Sequence, residues 1–234
     1  MFFKNRSNQP ELLDLSGHSP LELANNYRDM AFINRYLGVH GMVLAHFRQL
    51  LKKRGNPGQV TILDLATGAG DVPLALIRWG RKSGIEIKAL GLEINRQAIA
   101  MVRERAVEYP EMSFLLGNIM DLPYGPSSVD YTLCNTTLHH FTFDQSIRII
   151  QNMAEISRYG FIITDLRRGL WPYLLAKGAC FLISQNRLTR FDGPRSVQKS
   201  YTYKEFWHLA QVSGLKGIRV YKHPFLRLAM IWEK

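Results

Sequence analysis

The stretch Ile62-Leu63-Asp64-Leu65-Ala66-Thr67-Gly68-Ala69-Gly70-Asp71 runs from apolar, β-favouring residues into a cluster of small ones. The extended run begins at Gln59, and Val72, Leu74, Leu76 and Ile77 beyond the turn fit a helix, so the unit reads strand, turn, helix. Small side chains at such a turn let the backbone approach a ligand closely, as in a nucleotide-type pocket. Turns need glycine whether or not anything binds, so the next element has to decide. Glu93 closes the following strand, where a carboxylate can accept from both hydroxyls of a ribose. Pro73 stands where a dinucleotide fingerprint wants a third glycine, which disfavours a pyrophosphate.

Outward from this unit the alternation repeats. Strands are expected at 86–92, 113–116, 131–134 and 161–165, with helices at 96–109 and 143–157. Ser19, Pro20 and Glu22 start a helical region that runs to Lys53, with a break near Gly38 and Gly41; Met30, Ile33, Tyr36, Leu37, Leu44 and Phe47 share one side of it. About forty residues after Asp165 lack the rhythm before Thr202 and Glu205 form a capping box, and strand-like runs at 216–222 and 226–232 close the chain. The expected fold is α/β: a doubly wound, mostly parallel seven-stranded sheet. Residues 1–55 form a helical cap, 56–166 the cofactor-binding core, 167–200 a lid and acceptor-binding insertion, and 201–234 the final helix and an antiparallel strand pair.

Composition fits a single globular unit: 234 residues, 46% hydrophobic and 21% charged. A net charge of +11 suits nucleic acid, anionic lipid, an acidic ligand, or only a solvated surface. Two cysteines, Cys134 and Cys180, give neither a disulfide framework nor metal-ligand spacing, so both read as thiols and no metal is expected. Polar Lys4, Asn5 and Arg6 follow the first residues directly, with no apolar signal region, which makes the cytoplasm the expected compartment. The apolar stretch 170–184 is too short and too broken to cross a bilayer, though it can touch one.

Positions 60–166 resemble the class I S-adenosylmethionine-dependent methyltransferases. The turn at 62–71 is similar to that family's signature LDxGxGxGD, with Ala66 at its first glycine. Gly117-Asn118-Ile119 with Asp121-Leu122-Pro123-Tyr124 resembles the segment GDAxxLPF, with Asn118 at the aspartate, and Leu138-His139-His140-Phe141 resembles the exit of the fourth strand. The resemblance implies S-adenosylmethionine as cofactor, held by Asp64, Ala66, Thr67, Gly68, Gly70, Asp71, Glu93, Ile94, Asn118, Ile119 and Asn135. A narrower similarity, in 34–38, 165–168 and 187–194, is to bacterial enzymes of polyketide, phenolic-lipid and quinone-type pathways. It implies a small, largely apolar acceptor methylated on oxygen or carbon.

Transfer of a sulfonium methyl needs a nucleophile brought in line and relieved of its proton. His139 and His140 leave the fourth strand at its carboxyl end, where such sheets bind ligands, and imidazole titrates near neutrality; either can instead be a packed or locally bonded side chain. Arg35, Tyr36, Asp165, Arg167 and Trp171 are candidates for binding the acceptor. Tyr173, Leu174, Leu175, Phe181, Leu182 and Ile183 would join Trp171 in an apolar wall, or else cover the sheet edge. Arg187, Arg190, Arg195 and Lys199 form a basic segment that meets anionic lipid or solubilises the lid. The rival readings are a nucleic-acid methyltransferase, against which Cys134-Asn135-Thr136-Thr137 stands where base-nitrogen methylases carry an Asn/Asp-Pro-Pro-aromatic run, and a non-catalytic cofactor-binding protein.

Overall fold

A computed structural model describes residues 3–234, apart from the side chains of residues 104–106; Met1 and Phe2, where the reading of the chain's opening begins, lie outside the described residues. Ser19 caps α1 (Pro20–Tyr36), its hydroxyl accepting from the Glu22 amide. Gly38, at φ 90°, makes the break before α2 (Val39–Lys53), since a left-handed residue cannot continue a helix. The alternation then follows: β1 (Gln59–Leu65), α3 (Asp71–Ser83), β2 (Glu86–Glu93), α4 (Arg96–Arg105), β3 (Met112–Leu116), β4 (Val129–Asn135), α5 (Phe143–Ile156) and β5 (Ser157–Leu166).

The seven strands order as β3-β2-β1-β4-β5-β7-β6. The first five run parallel, while β7 (Arg227–Glu233) inserts antiparallel between β5 and β6 (Arg219–His223). Chain order reverses beside β1, between it and β4, and ligands of wound sheets sit at the carboxyl ends of strands flanking such a point. One face of the sheet packs Phe47, Leu50 and Leu51 of α2 with Leu76 and Ile77 of α3. The other packs Ile149, Ile150 and Met153 of α5 with Phe206 and Leu209 of α8 (Tyr203–Val212). Each such fully buried side chain contributes roughly 1.5–3 kcal/mol.

The stretch between β5 and α8 is regular: α6 (Leu170–Ile183) and α7 (Arg187–Lys199) pack together where Cys180 meets Gly193. Asp192 of α7 accepts from the amides of Leu12 and Leu13, and so pins the segment ahead of α1 onto α7. A third cluster joins Leu23 and Tyr27 of α1, Ala69 of the glycine turn, Val102 of α4 and Leu188 of α7. Through it the cap and the inserted helices hold the turn from above.

Candidate active site

The turn after β1 is built from left-handed residues: Ala66 at φ 54°, Gly68 at 53° and Gly70 at 65°. Ala66 holds there a conformation that costs a residue with a Cβ about 1–2 kcal/mol. Side chains lock the turn from both sides. Asp64, buried at the end of β1, accepts from the Thr67 hydroxyl at 2.7 Å and from the Asn135 amide at 3.1 Å. Glu93, buried at the end of β2, accepts from the backbone amides of Gly68 and Asn95, both at 2.9 Å. Burial, opposed by the Thr67 hydrogen bond and reinforced by the Asp71 charge, pushes the Asp64 carboxyl up to about 7.

A cavity of about 400 Å³ opens at this edge of the sheet. Asp64, Ala66, Thr67, Gly68, Asp71 and Asn135 line it, among the residues expected to hold a cofactor. Gly70, Glu93, Ile94, Asn118 and Ile119 stand outside its lining, on the turn and at the ends of β2 and β3, with Ile94 and Asn118 exposed and Ile119 buried. Two carboxylates, Asp64 and Asp71, face one cavity; Asp71 meets His40 Nε2 at 2.6 Å and Asn34 Nδ2 at 3.2 Å, and among the described residues no arginine or lysine pairs with either, which favours a cationic ligand. A carboxylate offers about four lone-pair sites, so Glu93 can accept two more hydrogen bonds beside the two it makes. The donor set therefore fits S-adenosylmethionine: acids for its cationic groups and an acid at β2 for its hydroxyls.

The histidines take a different place from the expected one. His139 is buried, with Nδ1 2.7 Å from Oδ1 of Asp165 and Nε2 3.5 Å from Oε1 of Glu11. Burial would depress its imidazole, but Asp165 and Glu11 outweigh that and raise it to about 9. Neither histidine lines the cavity, whereas Glu11 does, so His139 reaches it only through Glu11. His140 is exposed on the far side, its Nδ1 3.3 Å from Asp14 and its Nε2 3.8 Å from Glu11. Desolvation raises Glu11, yet hydrogen bonding to His139 and the neighbouring charges hold it down at about 2. Glu11, His139 and His140 place ligand atoms within 4.8 Å of one another, as a metal site would. The Lys199 ammonium, 3.4 Å from Glu11 Oε1, already supplies a cation there.

The expected acceptor residues stand outside the lining of the cavity. Arg35 and Tyr36 are exposed because Met30, Ile33, Asn34 and Leu37 take the inward face of α1; Tyr36 packs on Phe32 instead. Asp165 is fully buried behind His139, and Arg167 is tied by its amide to Leu226 O, outside the cavity. Trp171 is 70% exposed, and of the proposed apolar wall only Leu175 lines the cavity. The small residues Pro172, Ala176, Ala179 and Cys180 form that wall, and their i, i+4, i+7, i+8 spacing was the signal available in the sequence.

Arg227, at the start of β7, is a site residue that the sequence does not single out. It is 4% exposed, lines the cavity, donates to Leu37 O at 3.2 Å and Thr136 Oγ1 at 3.4 Å, and makes no ion pair among the described residues. Burial lowers it to about 10, against the pull of Asp165 and Asp71, so it stays charged. Asn26 also lines the cavity, and its buried carbonyl oxygen has no hydrogen-bond partner among the described residues.

A profile of the methyltransferase domain matches residues 62–160. The chain is 26% identical over 181 residues to a demethylmenaquinone methyltransferase of Bacillus licheniformis, covering 72% of this chain and 75% of that protein. It is 31% identical over 72 residues to a 2-phytyl-1,4-naphtoquinone methyltransferase of Thermosynechococcus vestitus, 31% of each. The solved structure of an S-adenosylmethionine-dependent methyltransferase from Aquifex aeolicus superimposes with a TM-score of 0.61 at 13% identity, over 93% of this chain and 99% of that one. The acid-lined cradle at the end of β1 and these likenesses agree, and together they support an S-adenosylmethionine-dependent methyltransferase with the class I fold.

Proposed function

We propose that the acceptor is a small, largely apolar ring carrying an ionisable hydroxyl, of phenolic or quinol type, methylated on oxygen or on a ring carbon. The observation that carries this reading is Arg227: a buried, charged guanidinium with no ion pair among the described residues, in a cavity whose apolar lining includes Met30, Ile33, Leu37, Ala176 and Ala179. Desolvating a cation costs several kcal/mol unless an anion compensates, and a phenolate or enolate oxygen would do so. The same oxygen becomes a better nucleophile, or activates its ring carbon, once Arg227 favours its ionised form. Asn26, its carbonyl oxygen unpartnered, offers an acceptor for a second hydroxyl or for the proton-bearing form. His139 holds Glu11 from behind, as a positioning residue.

S-adenosylmethionine, when bound, supplies the electrophilic methyl. In support of its placement are the residues of the turn and Asp64, Asp71 and Asn135, with Glu93 for the ribose. The relatives whose names specify quinone precursors support the ring class of acceptor. The test is transfer of labelled methyl to a panel of phenols and quinols, with an RNA control and adenosylhomocysteine binding measured alongside. Transfer to ring hydroxyl compounds, lost in Arg227→Met with cofactor binding kept, is the expected result. Transfer to RNA, or a fully active Arg227→Met, refutes the reading.

A further inference from the structure

We propose that the outer face of α6 is a docking surface for anionic phospholipid bilayers, which seats the mouth of the cavity on the lipid. The helix is amphipathic in the reverse of the usual sense. Its small residues, Pro172, Ala176, Ala179 and Cys180, turn inward, and its large apolar ones turn to solvent. Trp171, Leu174, Leu175, Phe181 and Leu182 are all exposed, Leu182 at 84%, and their spacing of three, four and seven residues puts them on one side of the helix. An apolar ridge of that breadth is uncommon on the free surface of a soluble chain.

Two observations select lipid as the occupant. The first is charge: α6 contains no acidic residue, and cations border the ridge. Lys177 is exposed on the helix itself, and the Arg190 guanidinium lies 4.6 Å from the centre of the Phe181 ring. Neither makes an ion pair among the described residues, and the whole chain carries +11, so the surface suits anionic headgroups around an inserted Trp, Phe and Leu ridge. The second is continuity with the cavity. Leu175, 58% exposed, and Phe225, 57% exposed, both also line it, so the opening lies at the edge of the ridge. A second copy of the chain on this face would close that opening, whereas a bilayer would present it to a pool of apolar molecules. No helix among the described residues is long and apolar enough to cross a membrane, so the contact is peripheral.

The inference rests on the acceptor reading only for what the bilayer would deliver; docking itself is measured without turnover. The experiment is co-sedimentation with vesicles of phosphatidylglycerol and phosphatidylcholine, against vesicles of phosphatidylcholine alone. The wild type is compared with Leu174→Asn/Leu182→Asn, which removes apolar surface without altering charge and touches no residue of the cavity lining. Adenosylhomocysteine binding serves as the control for folding. The wild type is expected to partition onto anionic vesicles, and the double variant to lose about tenfold or more of that partitioning while binding adenosylhomocysteine normally. Equal partitioning of the two proteins would show attraction by net charge alone and overturn the proposal. So would absence of binding by the wild type, including the case in which light scattering finds a dimer that the variant dissolves.

Discussion

Glu11 and His139 meet in the buried layer beneath the cavity, with Oε1 of one 3.5 Å from Nε2 of the other, although Glu11 precedes the first helix and His139 follows the fourth strand. Behind His139 stands Asp165, so the imidazolium lies between two carboxylates. The first prediction follows from its pKa, about 9 in the folded protein against 6.5 ordinarily. A group raised on folding stabilises fully below its unfolded value and ceases to as pH rises through the folded one. Stability should therefore fall between about pH 6.5 and pH 9, by on the order of 3 kcal/mol at most. Thermal midpoints of the wild type and His139→Gln across this range should converge as pH rises; parallel curves would exclude the imidazolium as the source.

Glu93 ties the glycine turn to β2 by accepting from Gly68 and Asn95, and we propose that its remaining lone pairs take the ribose hydroxyls. Glu93→Ala should weaken adenosylhomocysteine binding by about 1–3 kcal/mol, roughly tenfold to a hundredfold. Calorimetric titration checks this, and wild-type affinity in the variant would refute the assignment.

Asp64 lines the cavity with its carboxyl raised to about 7 by burial in the first place and by the Asp71 charge besides. A cationic ligand would lower it again, so cofactor binding near pH 7 should release a proton. Titrations in buffers of different ionisation enthalpy measure that release. It should be absent from Asp64→Asn and fade well above pH 8, where the carboxylate is already ionised.

Gly193 lets α7 touch α6: a Cβ built on it would stand 2.2 Å from Cys180 Sγ. Gly193→Ala should cost about 1–3 kcal/mol by overpacking. Gly178, in α6 with nothing within 4 Å of such a Cβ, is the control, and Gly178→Ala should instead stabilise by about 0.4–1 kcal/mol. Denaturant midpoints of the two variants should move in opposite directions.

What the sequence determined by itself was whatever depends on neighbours along the chain. Alternating and β-branched residues set β1 at 59–65 as expected, Thr202 and Glu205 close the capping box of α8, and small residues after β1 mark the turn. Strand ends moved by a few residues, β5 most, because pairing with β4 extends it back to Ser157 and pairing with β7 back to Gly160. Tertiary structure decided which side each helix presents and which distant groups meet. Trp171 and Tyr36 are apolar or aromatic enough for a cavity wall, yet α6 and α1 pack by their smaller or more inward residues and leave both in solvent. His139 reads as a candidate base because it leaves β4 at its carboxyl end; the fold brings Glu11 and Asp165 to its two nitrogens. Arg227 reads as an ordinary strand-end cation until β7 inserts between β5 and β6 and carries it out of water into the cavity. Burial and charge pairing depend on distances in space, and local sequence does not encode those distances.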